Sequence, residues 1–205
     1  MSGTLITVPM KDPARAKTRL AGELSPQARL RFVELIYTRT LDMLVPVAHQ
    51  AGATLSVVTG SSRAATLARR FDVRVIEEPG ELGLTAAVGH VAGFAVAEGF
   101  DRLCVIPADL AAPLAADVRM LLESDADVTI CPSTDEGTNA LLVAPPDAIA
   151  FQYGPHSARL HLQSARALGL CARMMDLDSL SFDIDTSACL TRAMRAVPQI
   201  AQACA

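Results

Sequence analysis

Strand-like apolar runs alternate with helix-like segments along the first two thirds of the chain, and this alternation constrains the fold more than any other feature. The β-rich runs lie at residues 4–8, 53–59, 73–78, 101–109 and 127–133. The segments with helical periodicity lie at residues 26–44, 62–71, 84–99 and 113–124. Strand and helix in regular succession predict crossover units, in which mostly parallel strands form one sheet with helices on both faces.

Two of these helices have recognisable starts. Ser25 followed by Pro26 is typical of a helix N-terminus, with serine as the N-cap and proline at the first helical position. Ser61 and Ser62 can cap the second helix in the same way.

The pattern changes near Gly137. The run TNALLVAP (138–145) has no helix before it, which allows this strand to lie antiparallel to its neighbours. A helix (156–168), a strand (171–177) and a last helix (187–196) follow. No internal repeat, low-complexity segment or linker interrupts the chain. We therefore predict one α/β domain over residues 1–205, a three-layer α/β/α sandwich around a mixed, mostly parallel sheet.

The charge balance limits the partners that this chain can bind. The formal net charge of −4 argues against nucleic acids and membrane surfaces, both of which need a broad basic surface. The five cysteines include no CxxC pair and no Cys/His cluster with metal-ligand spacing, which favours reduced structural thiols in a cytoplasmic protein. The longest apolar stretch, roughly 86–97, is shorter than a membrane span, and we see no signal-peptide pattern.

Ligands of open α/β sheets bind beyond the carboxyl ends of the strands. This rule places the chemistry in the loops that follow the strands, at residues 9–20, 59–62, 78–85 and 107–112 and in the late loops.

The first of these loops is PMKDPARAKTRL (9–20), which is unusually basic. It carries Lys11, Arg15, Lys17 and Arg19, and its two lysines are the only ones in the chain. Lysine supplies a point charge and arginine a fork of donors, so such a loop can neutralise a polyphosphate. The alternative is a solvated basic loop. No GxxxxGK[ST] or GxGxxG pattern is present, so side chains rather than backbone amides would hold the phosphates.

Two acidic motifs could hold a divalent cation. Asp109 in VIPADL (105–110) follows an apolar strand, and Asp183 and Asp185 in FDIDT (182–186) would point the same way in an extended segment. The alternatives are a turn or capping role for Asp109 and a capping role for Asp185 before the last helix. The similarly spaced MDLD (175–178) ranks lower because no turn and helix are predicted to follow it.

A second anion site is predicted from the segments EGTNALLV (136–143) and FQYGPHSARLH (151–161). A glycine turn at Gly154 that leads into a helix at Ser157 would present amides and a hydroxyl to an anion, and Thr138 leads the neighbouring buried run. Plain helix capping is the alternative. His156 and His161 are more typical of surface or packing residues than of metal ligands.

Together these features fit nucleotidyl transfer better than other chemistry, because no nucleophile elbow or Ser/His/Asp arrangement is present. The motifs PMK…ARAKTRLA, PADL, GTNALL, FxxGxxS…H and DIDT also resemble, in this order, the guanylyltransferases of deazaflavin coenzyme F-420 biosynthesis. These are the 2-phospho-L-lactate guanylyltransferases and their phosphoenolpyruvate-using relatives, and the resemblance covers about residues 5–190. It implies a nucleotidyltransferase fold of the nucleotide-diphospho-sugar transferase-like (GT-A-like) superfamily, and the joining of GTP to a phosphorylated three-carbon acid with release of pyrophosphate.

The resemblance also implies roles for individual residues. Those implied to hold Mg²⁺ are Asp109, Asp183 and Asp185. Those implied to bind the phosphorylated acid are Thr138, Gly154 and Ser157. Those implied to bind GTP are Lys11, Arg15, Lys17, Arg19, Gly83 and Thr85, among which Arg15 and Lys17, with Asp109, are expected to be catalytic. The expected partners are therefore GTP and a small acid, without nucleic acid or membrane, and a homodimer is compatible with them.

The chain departs from the family pattern at three places. Thr85 replaces the asparagine of a Gly-Leu-Asn that the family usually has at the start of the third helix, where the nucleotide is expected. Ala111 replaces the proline of PADLP. His156 and Ala158 lie on either side of Ser157 where the family has GPGSFARH, which leaves the choice of acid open.

Three other readings are weighed from the residues alone. A molybdopterin guanylyl- or cytidylyltransferase would have the same fold, but its glycine-rich LAGG loop is missing here. A transferase that uses sugar nucleotides is disfavoured because its D-x-D motif usually falls in mid-chain. A non-catalytic module that only binds a nucleotide would be expected to have lost a metal carboxylate, and both acidic motifs are present.

Overall fold

A seven-stranded mixed sheet forms the centre of the computed structural model, which describes residues 3–80 and 83–204. The strands are β1 (Thr4–Pro9), β2 (Thr54–Thr59), β3 (Arg74–Glu77), β4 (Arg102–Val105), β5 (Val128–Pro132), β6 (Thr138–Val143) and β7 (Ala172–Met174). The helices are α1 (Pro26–Gln50), α2 (Ser62–Arg69), α3 (Leu84–Ala97), α4 (Ala115–Leu122), α5 (Ser157–Ala167), α6 (Asp178–Ser181), α7 (Ser187–Ala196) and α8 (Pro198–Cys204).

The strand order is β3-β2-β1-β4-β6-β5-β7, and β6 is antiparallel to both of its neighbours. The β1–β2, β1–β4, β2–β3 and β5–β7 pairs are all parallel. β6 reverses direction because a short turn connects it to β5, closed by a hydrogen bond from Ser133 N–H to Gly137 C=O at 2.9 Å. The mixed, mostly parallel sheet is thus confirmed, including the antiparallel strand at residues 138–143.

Helices cover both faces of the sheet, and alternate residues of each strand feed two separate cores. In β1, Ile6 and Val8 pack towards α1, α2 and α4, whereas Leu5 packs towards α3 and α5. In β4, Cys104 and Leu103 divide in the same way. This two-sided burial explains why the strands appear in the sequence as continuous apolar runs rather than as alternating ones.

The predicted helix starts are confirmed, while several boundaries differ from prediction. The Ser25 hydroxyl accepts from Ala28 N–H, and the Ser61 hydroxyl accepts from Ala64 N–H. α1 extends six residues beyond the predicted end and contains Pro46, because Val47 and Ala48 still bury their side chains against the core.

The predicted fourth strand was too long, since β4 ends at Val105 and residues 106–109 form a non-helical turn that carries Asp109. Two elements were not predicted, the short helix α6 and the terminal helix α8. α6 begins at Asp178, so the assumption that no helix adjoins MDLD was wrong.

The β5–β6 turn has room for glycine alone at position 137. A Cβ atom built on Gly137 would lie 2.7 Å from Ser133 Oγ, which Asp135 holds by a hydrogen bond. We expect Gly137→Ala to lower the free energy of unfolding by about 1–3 kcal/mol, because the serine must move and lose that bond. Gly93→Ala in α3, where a Cβ meets nothing within 4 Å, should instead raise it by about 0.5–1 kcal/mol. Denaturant titration of both variants would check this, and equal effects would contradict it.

Over residues 3–80 and 83–204, none of the helices combines the length and the apolar character needed to cross a bilayer.

Candidate active site

The basic loop after β1 folds into two 3₁₀ turns, at Pro13–Arg15 and Thr18–Leu20. The Asp12 carboxylate caps the first turn by accepting from Ala14 N–H at 3.0 Å. Lys17 connects the turns in a left-handed conformation (φ 52°), which non-glycine residues seldom adopt. This backbone geometry turns the Lys17 side chain inward instead of out to solvent.

The Lys17 ammonium group lies between two carboxylates. Its Nζ atom is 2.6 Å from Asp109 Oδ2 and 2.5 Å from Asp185 Oδ1, and the lysine side chain is only 7% exposed. Burial by itself would lower the pKa of Lys17, but the charges and hydrogen bonds of Asp109 and Asp185 outweigh it and raise that pKa. Lys17 is therefore a permanent cation at the end of the sheet.

The acidic motifs meet because the chain near residue 183 lies alongside the turn after β4. Leu110 and Asp183 form an isolated antiparallel bridge. Ala111 N–H donates to Phe182 C=O at 3.1 Å, and Ile184 N–H donates to Asp109 C=O at 3.3 Å. These backbone contacts bring together carboxylates that are more than seventy positions apart in sequence.

Asp183 is a partly buried carboxylate beside Asp109 and Asp185. Burial, and then the negative charges of Asp109 and Asp185, raise the pKa of Asp183, although Lys17 opposes this effect. The cluster thus holds three acidic groups against one buried cation, so it still attracts positive charge.

A divalent cation fits this donor set by its chemistry. Among residues 3–80 and 83–204, no group of three or more His, Cys, Asp and Glu side chains is arranged as a metal site. However, Asp109 and Asp185 direct one oxygen each at a single cation, the Lys17 ammonium. Mg²⁺ is usually held by one or two carboxylates together with substrate phosphates rather than by a cage of protein ligands, so a pair of aspartates suffices.

A cavity of about 790 Å³ opens at this end of the sheet. The predicted site residues that line it are Lys11, Arg15, Lys17, Arg19, Gly83, Asp109, Thr138 and Asp185. Those that do not line it are Thr85, Gly154, Ser157 and Asp183. The cavity extends from Gly60 and Glu78, beyond β2 and β3, to Asn139 and Tyr153 on the other side of the cluster.

The other cations of the basic loop lie nearer to solvent. Arg19 is 3.5 Å from Asp185 Oδ2 with a side chain that is 79% exposed, so this contact adds little to stability. Lys11 is exposed as well. Both can reach a phosphate at the mouth of the cavity, but Lys17 is the cation that is built into the site.

The second predicted anion site is a buried hydrogen-bond chain rather than a simple helix cap. Ser157 Oγ donates to Thr138 Oγ1 at 3.1 Å, and Thr138 Oγ1 lies 3.0 Å from His161 Nδ1. Gln152 N–H donates to His161 Nε2 at 2.9 Å. The N-cap position of α5 belongs to His156, so the alternative of plain capping by the Ser157 side chain is wrong.

The turn before α5 depends on two unusual backbone conformations. Gly154 has φ 131° and His156 has φ 58°, both in the region that favours glycine. The His156 ring contacts the Glu136 carboxylate at 2.5 Å, and both side chains are exposed. The residue that departs from the family pattern therefore ties the two loops together on the surface, on the outer side of buried Ser157.

Thr85, the other departure, joins α3 to the same loop. Its hydroxyl accepts from Tyr153 N–H at 3.1 Å. Gly83 and Leu84, the residues just before it, line the cavity at the N-terminus of α3. A role of Thr85 in nucleotide binding stays a prediction.

His161 and Tyr153 are parts of the site to which the sequence analysis gave no role in binding, although His161 belongs to the FxxGxxS…H motif and was interpreted as a surface or packing residue. His161 is fully buried, and its ring packs edge-on against Tyr153 with 5.4 Å between centroids. The signal that could have identified His161 is its place four residues after Ser157, which puts both side chains on one face of α5. For Tyr153 the sequence holds no comparable signal.

His161 should make folding stability depend on pH. Burial lowers its pKa from 6.5 to about 4, so the unfolded chain binds a proton more readily than the folded one. The stability contribution of the neutral ring is complete above pH 6.5 and is lost as the pH falls towards 4. When the pH is lowered from about 7.5 to about 5, the free energy of unfolding of the native protein should fall by roughly 1–2 kcal/mol. The free energy of unfolding of a His161→Asn variant should not show this loss. Denaturant titrations at both pH values would measure this, and equal losses in the two proteins would contradict it.

The order of the strands and the grouping of acidic and basic side chains beyond them define a protein of the nucleotidyltransferase class with the nucleotide-diphospho-sugar transferase-like fold. Residues 4–195 match the family model described as guanylyl transferase CofC like. The chain belongs to this guanylyltransferase family.

Curated relatives differ in the acid that their names state. The 3-phospho-D-glycerate guanylyltransferase of Colwellia psychrerythraea is 35% identical over 89% of this chain and 87% of its own length. The 2-phospho-L-lactate guanylyltransferase of Methanothermobacter thermautotrophicus is 32% identical over 90% and 81%. The phosphoenolpyruvate guanylyltransferase of Rubrobacter xylanophilus is 35% identical over 90% of each chain.

Solved structures share the fold at low sequence identity. A protein from Desulfovibrio desulfuricans assigned as a nucleotide-diphospho-sugar transferase superposes with a TM-score of 0.69, at 16% identity over 98% of each chain. A nucleotidyl transferase from Methanothermobacter gives a TM-score of 0.63, at 15% identity over 98% of this chain and 99% of its own. The predicted fold class is thereby confirmed.

Proposed function

We propose that this protein transfers the guanylyl group of GTP to the phosphate of a three-carbon acid and releases pyrophosphate, as a step in coenzyme F-420 biosynthesis. The acids in question are 2-phospho-L-lactate, phosphoenolpyruvate and 3-phospho-D-glycerate. The observation that carries this proposal is a cation held between two aspartates, with all three side chains lining the cavity. The names of the relatives support guanine as the base and a phosphorylated acid as the acceptor.

The cavity has two arms that suit the two substrates. The arm beyond β2 and β3 is lined by Gly60, Glu78 and Gly83, and we place the nucleoside there. One edge of guanine carries N–H groups, and a carboxylate such as that of Glu78 can accept hydrogen bonds from them. The arm beyond β6 is lined by Thr138 and Asn139, and we place the acid there. The α-phosphate then falls between the arms, at Lys17.

Gly60 lies where the loops after β2 and β3 approach each other in the nucleoside arm. A Cβ atom on this residue would lie 3.3 Å from the Gly80 carbonyl oxygen and 3.7 Å from the Glu78 carbonyl oxygen, so a side chain here would crowd the loop after β3. The close approach fixes the backbone that carries Glu78 towards the cavity.

The basic loop supplies positive charge along the triphosphate. Lys17 would contact the α-phosphate region, where negative charge accumulates during transfer, and Arg15 would contact the departing pyrophosphate. Lys11 and Arg19 would neutralise the outer phosphates from solvent. Asp109 and Asp185, with Asp183 beside them, would hold Mg²⁺, which when bound would neutralise the phosphate oxygens and favour attack at the α-phosphorus.

The reaction needs positioning and charge more than proton transfer. An oxygen of the acid's phosphate forms a bond to the α-phosphorus while the bond from that phosphorus to the bridging oxygen breaks, and pyrophosphate leaves with the electron pair. A phosphate monoester is largely a dianion at neutral pH, so no strong general base is required. Thr138 would orient the acid, and Ser157 would support Thr138 from behind. Gly154, which does not line the cavity, would shape the turn before α5. A cytoplasmic location belongs to this proposal and is supported by five free thiols.

Pyrophosphate release tests this function. GTP should release pyrophosphate only when one of the three phosphorylated acids is present, and ATP, CTP and UTP should support much lower rates. The acid with the highest kcat/KM is then the natural type of acceptor. If no combination of acid and nucleotide gave pyrophosphate release, the proposal would be refuted and a module that only binds nucleotides would be favoured. A clear preference for CTP would refute the assignment of guanine.

A further inference from the structure

His161 lies in α5 in a fully buried position. It connects the acid arm to the loop before α5, which contains Gln152 and Tyr153. Its Nδ1 faces Thr138 Oγ1 at 3.0 Å, and its Nε2 faces Gln152 N at 2.9 Å. Thr138 lines the cavity, whereas Ser157 and His161 lie behind it. His161 can therefore act on a ligand through Thr138, to which it is hydrogen-bonded, or through Tyr153, against which its ring packs.

The backbone fixes which nitrogen of the His161 ring carries the proton. The Gln152 amide N–H can only donate, so Nε2 must accept and holds no hydrogen. Burial keeps the ring neutral at physiological pH by lowering its pKa to about 4. The single ring hydrogen is then on Nδ1 and is donated to Thr138 Oγ1.

This tautomer determines what the two hydroxyl groups can offer. Thr138 and Ser157 have two hydroxyl hydrogens between them, and one is used in the 3.1 Å bond that joins them. If the ring presented a bare Nδ1, it would accept the second hydrogen and leave none for a ligand. Because Nδ1 donates instead, one hydroxyl hydrogen remains to be donated to an anion.

We propose that His161 is a positioning residue that keeps the Thr138–Ser157 pair in its donating state and so prepares the acid arm for an anionic oxygen. The proposal rests on the function given above, because that function places the phosphorylated acid at Thr138. The role of His161 explains why this arm would prefer an anion to a neutral hydroxyl compound. The Thr138–Ser157 pair can donate one hydroxyl hydrogen to the ligand, and it has no free acceptor position that faces the same ligand atom.

Three substitutions at position 161 separate this role from simple core packing. Asn can place an amide N–H near the position of Nδ1, Gln can place an acceptor near the position of Nε2, and Leu fills the space without either. We expect His161→Leu to raise the KM for the acid by about 10- to 100-fold, since a donor to a charged group is misplaced. His161→Asn should stay within about threefold of the native KM. The KM for GTP should remain unchanged in all three variants.

A packing role predicts another order of effects. If only the filled volume mattered, Leu would be tolerated as well as Asn, and the KM values for GTP and the acid would change together. Equal acid KM values in the Leu and Asn variants would overturn the proposal. If the Leu variant does not fold, the Gln variant replaces it, because Gln lacks a donor at the Nδ1 position and should bind the acid more weakly than Asn does.

A double-mutant cycle tests whether His161 acts through Thr138. Thr138→Val removes the hydroxyl that the ring orients, so adding His161→Leu to it should change the acid KM by less than about threefold. Full additivity of the two effects would contradict the proposed route.

Direct binding of the acids separates failure of this inference from failure of the proposed function. Calorimetry with phosphoenolpyruvate, 2-phospho-L-lactate and 3-phospho-D-glycerate, without GTP, should show weaker binding to the Leu variant than to the native and Asn proteins. Binding in this order without turnover would refute guanylyl transfer and uphold the role of His161. Turnover with equal acid affinity in all variants would uphold guanylyl transfer and refute the role of His161. If the native protein bound none of the acids, both the proposed function and the role of His161 would be refuted.

Discussion

Replacing Asp109 by asparagine should lower kcat/KM for guanylyl transfer by about 1000-fold, corresponding to about 4 kcal/mol of transition-state stabilisation. The change keeps the shape of the side chain and removes its charge. Asp109 is one of the two carboxylates that fix Lys17 Nζ, at 2.6 Å, and it would also be a ligand of Mg²⁺. The initial rate of pyrophosphate release at saturating Mg²⁺ measures the effect.

Asp176 provides a matched control for this variant. It belongs to the MDLD segment, which has the same acidic spacing as FDIDT, but it is exposed and does not line the cavity. Asp176→Asn should retain activity within about twofold, as expected for a surface substitution. Near-normal turnover of Asp109→Asn, or equal losses in both variants, would show that the aspartate cluster is not the reaction centre.

Lys17→Ala should reduce kcat/KM by about 100-fold or more, because the buried ammonium group between the two aspartates disappears. Three clustered carboxylates would then face the triphosphate without the ammonium group that lies between two of them. The loss should appear in kcat as well as in the KM for GTP, since the charge on the phosphates grows during transfer. Steady-state kinetics at varied GTP concentrations would separate the two constants.

Lys11 is the matched control, as it is the only other lysine of the chain and lies in the same loop. It lines the cavity from an exposed position, so Lys11→Ala should change kcat/KM by less than about tenfold. Similar losses for the two variants would mean that the loop acts through its overall charge and not through the placement of Lys17. If kcat and the KM for GTP were unchanged in Lys17→Ala, the loop would be a solvated surface segment without a role in catalysis.

The order of the strands and helices could be predicted because each buried element leaves a local signature. Continuous apolar runs such as LCVI (103–106) indicate strands that are covered on both faces, and Ser25-Pro26 indicates a helix start. The continuation of α1 through Pro46 could not be predicted, since packing of Val47 and Ala48 outweighs the local effect of the proline. α8 was missed for a related reason: it is short and buries only Ile200.

The types of the site residues were also predictable, but their pairing was not. A basic loop after the first strand and two acidic motifs indicated phosphate and metal chemistry without showing which groups touch. The contact of Lys17 with Asp109 and Asp185 depends on a left-handed residue and on an isolated bridge at Leu110, and both are long-range properties of the fold. A pairing between positions 17 and 185 leaves no periodic pattern in a single sequence.

The acid arm shows the same limit more sharply. From the sequence, Ser157 was predicted to offer its hydroxyl to an anion, with plain helix capping as the alternative. In the structure the Ser157 hydroxyl bonds to Thr138 instead, since the fold places β6 beside the start of α5 and His161 below both. Which of two partners a hydroxyl chooses is decided by tertiary contacts that sequence periodicity does not contain.

The fate of the α-phosphorus of GTP tests the central claim most directly. With GTP labelled at the α-phosphorus and one of the three phosphorylated acids, the label should appear in a product that contains both guanosine monophosphate and the acid. With GTP labelled at the γ-phosphorus, the label should appear in pyrophosphate alone. Transfer of the γ-label to the acid, or retention of the α-label in free guanine nucleotides with every acid, would contradict guanylyl transfer by this protein.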